Sequence, residues 1–213
     1  NYPDDWNDFP DSWEGHSGWR QAKSKKKDVY YQIAFESGNF FLTGETTGKA
    51  VNFGTKSNIN LRLHNKMRWR WRAHNLPEGG NENVKDKNDS GAAIRLVFKG
   101  RGFTRRTLKY VWSTTLPVGT ETQSPLTDNT KVVVLQSGPQ KLGQWIWEEV
   151  DAYDDYKRLF GGEPRLVEFI SVITDSDNTK TLSKADYDDI TFIIAPPDTT
   201  ELNPDFMLET QEE

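Results

Sequence analysis

The sequence predicts an all-β sandwich with one short helix, on three observations. Short segments rich in Val, Ile, Tyr, Phe and Trp recur along the chain; clusters of Gly, Pro, Asn and Asp separate them; and only one stretch carries helical period and caps. The strand candidates are 29–36, 40–46, 58–63, 67–74, 92–99, 107–113, 131–136, 144–150, 166–174 and 189–195. Connections such as "PEGGNENVKDKNDSG" and "PVGTETQSPLTDNT" vary widely in length, which favours Greek-key or jelly-roll wiring over a meander. In "VDAYDDYKRLFGGEP", Asp151 is placed as N-cap, and Tyr153, Tyr156 and Phe160 fall on one helical stripe. Gly161 suits the C-terminal left-handed position, and Pro164 blocks continuation, which puts the helix near 151–160.

The chain has 213 residues, long for one domain but within reach of a single sandwich. Its 8 Trp, 7 Tyr and 11 Phe let a modest apolar fraction of 34% still build a core, because each ring buries a large area. No cysteine is present, so disulfides, thiol catalysis and Cys-based zinc sites are excluded. No apolar run is long enough for a membrane helix. The opening at Asn1, without an apolar leader, is what a processed or trimmed chain shows. The net charge of −5 resides in the tail beyond Ala195, which carries six acids and no base; the body is near neutral and projects no basic field toward nucleic acid. Residues 1–195 therefore read as one domain, with 1–28 an extended, aromatic N-terminal arm, and 196–213 as an acidic extended tail.

The most informative stretch is "KMRWRWRAHN", Lys66 to Asn75. Strand alternation puts Met67, Trp69 and Trp71 on one face and Arg68, Arg70 and Arg72 on the other. Burying an indole is worth several kcal/mol, about 25 cal/mol for each Å² removed from water. That places the rings in the core; the rival arrangement is an exposed platform stacking on sugars. "AAIRLVFK" and "TLKYVWS" alternate in the same way and add Arg95 and Lys109 as mid-strand bases opposite an apolar face. Arg70, Arg72, Arg95 and Lys109 are thus expected to line one sheet face. There they either pair with acids and cover apolar surface with their stems, or collect an anionic or hydroxyl-rich ligand.

Acidic loops are the expected rim of that face. In "TDSDNTKTLSKADYDDITF", Asp175, Asp177 and Thr179 have the alternate spacing of a calcium loop, but Lys180 stands where an EF-hand needs Gly and the flanks are strands. A calcium site of another kind is one reading; turns capped by Asp175 and Asn178 are the favoured one. Asp89 in "KNDSG", like Asp188 and Asp189 in "YDDI", opens a strand. The ligand-binding set is therefore Arg70, Arg72, Arg95, Lys109, Asp89, Asp175, Asp177 and Asn178. No G-x-S-x-G elbow, P-loop or H-E-x-x-H occurs, and His16, His64 and His74 are scattered. Glycoside hydrolysis needs only two carboxylates about 5–10 Å apart; Glu148, Glu168 and Asp175 are strand-borne candidates, with nothing in the sequence to select among them.

The segments "RWRWRAHNLPEGGNENVKDKNDSGAAIRLVF", "LKYVWS", "LGQWIWEEVDAYDDYKRLFG" and "ITDSDNTKTLSKADYDDITF", in that order, resemble the bacterial domain-of-unknown-function family numbered three thousand and forty-seven, over Phe9 to Phe192. The resemblance implies export by Gram-negative bacteria, to the periplasm or medium, and no established activity. More loosely, the opening "NDFPDSWEG", the Trp-rich middle and the closing "DDI" resemble carbohydrate-binding jelly rolls of galactose-binding-like type. That likeness implies a structural Ca2+ shared by Asp188 or Asp189 of the last strand and by Asp8 and Asp11 of the arm. The function expected is a non-catalytic module that binds a glycan or an anionic small molecule on one sheet face. The alternatives are a polysaccharide-active hydrolase or lyase, and a structural envelope-interaction protein.

Overall fold

The computed structural model describes residues 20–21, 30–100, 102 and 104–194. Apart from Arg20 and Gln21, the expected arm and tail lie outside these residues, and so do Asp8 and Asp11. Two sheets pack face to face. Strands β1 (Arg20–Gln21), β4 (Ala50–Ile59), β6 (Ala92–Lys99), β7 (Arg105–Ser113), β8 (Glu121–Gln123), β9 (Thr130–Ser137) and β11 (Val167–Asp175) form a seven-stranded sheet in the order β1-β4-β11-β6-β7-β9-β8. Strands β2 (Tyr31–Glu36), β3 (Asn39–Thr47), β5 (Lys66–Asn75), β10 (Ile146–Asp151) and β12 (Leu182–Ile193) form a five-stranded sheet in the order β10-β5-β12-β3-β2. All pairings are antiparallel except β7 with β9. The strand order jumps between non-consecutive neighbours, the jelly-roll wiring that the uneven connections implied. No helix among the described residues is long and apolar enough to cross a membrane.

The core lies between the sheets and is aromatic. Met67, Trp69 and Trp71 are completely buried, as are Tyr110 and Trp112 from the facing sheet. Trp69 and Trp71 meet edge to face at 5.5 Å, and Trp71 reaches Trp112 at 6.2 Å. The rings of the Trp/Arg strand therefore point inward. The Trp112 Nε1–H donates to the Gly138 carbonyl and that of Trp71 to Glu148 Oε1, so two of these indoles keep a polar partner despite burial.

Two tyrosines peg the sheets together. The hydroxyl of Tyr31, on β2, donates to the Val51 carbonyl at 2.8 Å and accepts from the Thr174 amide at 2.7 Å, both across the sandwich. That of Tyr187, on β12, donates to the Ile173 carbonyl and accepts from the Ala93 amide. Gly44 makes room for the first peg, since a β-carbon there would lie 2.4 Å from the Tyr31 ring.

Helix α1 spans Ala152–Phe160. Asp151 caps it by accepting from the Asp154 amide at 2.9 Å, and Gly161 takes a φ of 68° beyond the last turn. Tyr156 is buried against Phe98, with ring centroids 4.6 Å apart, and Phe160 stacks behind it.

Two strand expectations need correction, and one short strand was not expected at all. The segment 58–63 is mainly a turn; the strand is β4, which ends at Ile59. Gly54 hides it by reading as a breaker, yet glycine is required because a β-carbon there would come 2.5 Å from the Ile170 carbonyl oxygen of the neighbouring strand. The last strand starts at Leu182, not Asp189. Its alternate acids, which made it look like a loop, are answered by arginines of β5. The short β8 carried no apolar signal at all.

Candidate functional site

The four mid-strand bases do not share a face. Arg70 and Arg72 lie on β5, in the five-stranded sheet, whereas Arg95 and Lys109 lie opposite each other on β6 and β7, in the seven-stranded sheet. All four point away from the core, and so toward opposite sides of the sandwich. Alternation fixes the side of a strand a residue occupies, but not the sheet to which the strand belongs.

On the outer face of the five-stranded sheet, guanidinium groups interleave with rings and acids. Arg68 lies 4.3 Å over the ring of Trp147, its cross-strand neighbour region on β10. Arg70 lies 5.0 Å from the ring of Trp145, and Arg72 sits 4.7 Å from Trp145 and 5.2 Å from Phe41. Trp145 meets Phe41 edge to face at 5.4 Å. From the other flank β12 supplies acids in register: Asp186 opposite Arg72 and Asp188 opposite Arg70. Arg72 is buried and donates to Asp186 at 2.8 Å and Glu36 at 2.7 Å. Arg70 donates to Asp188 Oδ2 at 2.5 Å, and its Nε lies 2.6 Å from Asp189 Oδ2 as an ion pair out of line for a hydrogen bond.

A β-bulge supplies the second acid. The register with β5 shifts between Asp188 and Thr191, and Asp189 takes a φ of 56°, which an Asp tolerates better than most residues. Burial pushes the Asp188 carboxyl above the usual carboxylate range and Asp189 adds to this, while Asn39 and Arg70 pull it back. The two acids to which calcium was assigned therefore face a guanidinium already.

Three groups on this face stay available. Trp147 is 47% exposed, Trp145 is half-buried, and Arg68 is exposed, with no carboxylate partner among the described residues. Farther across the same face a cavity of about 230 Å³ is lined by Tyr30, Gln32, Thr43, Glu45 and Lys184. Sequence reasoning singled out Arg70 and Arg72 but missed Arg68, Trp145 and Trp147. The "WIW" alternation beside a strand of arginines was the signal that could have found them.

The outer face of the seven-stranded sheet is a different environment. Ala93, Val111, Val132, Val134 and Ile173 form a second apolar cluster there, with Leu116 from the β7–β8 connection packed on it. Lys109 is buried beside it; its ammonium donates to Ser90 Oγ at 3.1 Å and lies 3.6 Å from Asp175 Oδ2. Ser90 and Ser113 in turn donate to the two oxygens of the buried Glu82. Arg95 donates to Asn52 at 3.0 Å, and burial pulls its guanidinium below the usual range while Asp175 opposes the shift.

At the end of this sheet Asp89, Asp175, Asp177 and Asn178 do come together. The turns are not capped by Asp175 and Asn178: Asp89, from the β5–β6 connection, accepts from the Asn178 amide at 3.2 Å and the Thr179 amide at 2.6 Å. Lys180, at the position where a calcium loop needs Gly, takes a left-handed φ of 63°. Asp89, Asp175 and Asp177 each offer a carboxylate oxygen, all within 4.8 Å of one another. Burial pushes the Asp175 carboxyl up to about 6, with Lys109 opposing and Asp89 and Asp177 adding to the rise.

The three carboxylates weighed for hydrolysis do not converge. Glu148 accepts from Trp71 and Gln136 at the edge of the five-stranded sheet. Glu168 pairs with Arg105 near one end of β11, and Asp175 closes the other end.

Residues 17–191 match the family described as Protein of unknown function (DUF3047). The chain belongs to that family. No curated protein sequence matches this family member. Among solved structures it is similar to the family 11 carbohydrate-binding module of the cellulosomal cellulase Lic26A-Cel5E of Clostridium thermocellum, at 11% identity and a TM-score of 0.48, over 87% of this chain and 93% of that one. A carbohydrate-binding module specific for non-crystalline cellulose aligns at 12% identity and a TM-score of 0.42, over 84% and 89%. The family 11 xylanase from Neocallimastix patriciarum aligns at 10% identity and a TM-score of 0.42, over 76% and 85%.

Proposed function

We propose that the chain is a non-catalytic module that binds a glycan on the outer face of the five-stranded sheet. The observation that carries this reading is the half-exposed Trp147 with Arg68 stacked on it, set beside a ladder of Arg–Asp pairs. An indole held in place offers its apolar area to the carbon–hydrogen face of a pyranose at low entropic cost. Paired guanidinium and carboxylate groups donate to and accept from vicinal hydroxyls without leaving an unbalanced charge. Arg68 supplies a cation that a uronate or sulfate would meet. From β10 to β2 the face is four strand spacings wide, about 19 Å, enough for a short oligosaccharide laid across the strands. The reading includes export to the periplasm or medium, where such polymers occur; fractionation of a native host locates the chain.

A glycan array followed by affinity gel electrophoresis tests the proposal. Retardation of the full chain by at least one polysaccharide is expected, with retardation lost in Trp147→Ala and Arg68→Ala at unchanged thermal unfolding. No retention by any glycan, or equal retention in both variants, overturns it. A structural envelope-interaction role is the second reading, favoured by the ion pairs of Arg70 and Arg72; it expects no glycan to bind.

A further inference from the structure

We infer that Asp89, Asp175 and Asp177 form a binding site for a divalent cation of calcium type, at the end of the seven-stranded sheet. The site is separate from the glycan face: Asp175 closes β11, and its neighbour Lys109 lies on the outer face of the opposite sheet.

Three observations carry the inference. The first is the spacing of the three carboxylate oxygens, all within 4.8 Å of one another, a cage that oxygen-to-calcium bonds of about 2.3–2.6 Å can fill. The second is Asp175 Oδ1. The residue is only 6% exposed, its Oδ2 faces Lys109, and its Oδ1 is buried with no hydrogen-bond partner among the described residues. A buried carboxylate oxygen left without a donor is costly, and the positive partner it lacks is what a cation provides. The third is the charge count. Glu82, Asp89, Asp175 and Asp177 lie in one connected network of hydrogen bonds and close charges with Lys109, Arg95 and the exposed Lys180, whose ammonium donates to the Asp177 carbonyl, so acids outnumber bases. A bound cation offsets that excess.

The donors also choose the ion. All are carboxylate oxygens, with no imidazole or thiolate, which disfavours zinc and copper. Magnesium demands near-ideal octahedral geometry and keeps its waters, whereas calcium accepts an irregular shell completed by solvent. Asp177 is exposed and forms the mouth, while Asp89 and Asp175 are buried and form the floor. The Asp89 oxygens already hold the Asn178 and Thr179 amides, and each keeps a further lone pair for the ion. Binding would thus fasten the 176–180 turn to the β5–β6 connection.

The test is thermal unfolding of the full chain, stripped with chelator and titrated with CaCl2 or MgCl2, with calorimetry for affinity. Millimolar calcium is expected to raise the midpoint by about 4 °C, and magnesium by much less. Asp177→Asn weakens calcium binding at least tenfold while its midpoint in chelator stays that of the wild type, because the residue is exposed. Asp175→Asn abolishes the calcium response and lowers the midpoint in chelator, because it leaves the buried Lys109 ammonium without its carboxylate. A wild-type chain that ignores calcium, an equal response to magnesium, or a wild-type calcium response in either variant overturns the assignment. Glycan retardation is a separate readout, so the two proposals fail independently.

Discussion

The two outer faces of this sandwich began from one sequence signal and ended in opposite environments. Each carries long bases at mid-strand opposite an apolar stripe. On the five-stranded sheet those bases meet rings and acids, with Arg72 buried among them, Arg70 partly covered and Arg68 exposed. On the seven-stranded sheet an extra apolar layer surrounds the base, and Lys109 is 7% exposed. What differs is not the strand but what lies over it: Leu116 and its loop on one side, and no comparable apolar cover among the described residues on the other. A mid-strand cation therefore marks a ligand surface only where its sheet face stays open.

The comparison can be broken most directly at Lys109. Lys109→Ala, measured by urea denaturation in chelator, should cost about 3 kcal/mol, because it strands a buried carboxylate, and should leave glycan retardation unchanged. A loss below about 1 kcal/mol would mean that this face is as wet as the other. Next comes the apolar cover itself: Leu116→Ala should cost about 2 kcal/mol, again without touching glycan binding.

A smaller effect sharpens the contrast from beneath the open face. Burial raises the Glu148 carboxyl above its ordinary value of 4.5, while Gln136 and Trp71 pull it back by donating to it. The folded chain therefore holds that proton more tightly than the unfolded one, and stability falls as pH rises from about 4.3 through the raised value. Glu148→Gln keeps an acceptor for the Trp71 indole and removes the fall. The variant should match the wild type below pH 4 and exceed it slightly at pH 7, as a pH series of unfolding midpoints would show. Arg68→Ala is the smallest perturbation, within about 0.5 kcal/mol of wild-type stability, yet it should abolish retardation by the bound glycan. That dissociation of binding from stability is what Lys109→Ala must not show.

Much of the fold was legible because its cues are local. The Trp/Arg alternation of β5 gave the inward face correctly, and Asp151 and Gly161 bounded the helix almost to the residue. The two strands that eluded the pattern did so for non-local reasons. Gly54 in β4 answers to the backbone of Ile170, and the acids of β12 answer to arginines more than a hundred positions earlier. The site divided in the same way. Asp89, Asp175, Asp177 and Asn178 were named together and do meet, since Asp175 ends β11, Asp177 and Asn178 lie in the turn after it, and Asp89 lies in the connection that leads into the adjacent β6. Arg70 and Arg72 parted from Arg95 and Lys109 because sheet membership is decided by pairing, which periodicity does not encode. Trp145 and Trp147 were passed over as one more apolar strand, although an edge strand leaves its outer rings uncovered.

The extra residue at Asp189 governs how the final strand can slide. Asp189 and Ile190 together occupy the span opposite Trp69, with the isoleucine tucked inward and the aspartate thrown outward. A one-residue slip of β12 along β5 would drag a left-handed backbone into the regular pleat and turn Ile190 toward water. The kink thus works as a latch on alignment, and deleting that single position should restore an even pleat, with Ile190 still inward opposite Trp69 but free to slide and with Arg70 short of one carboxylate.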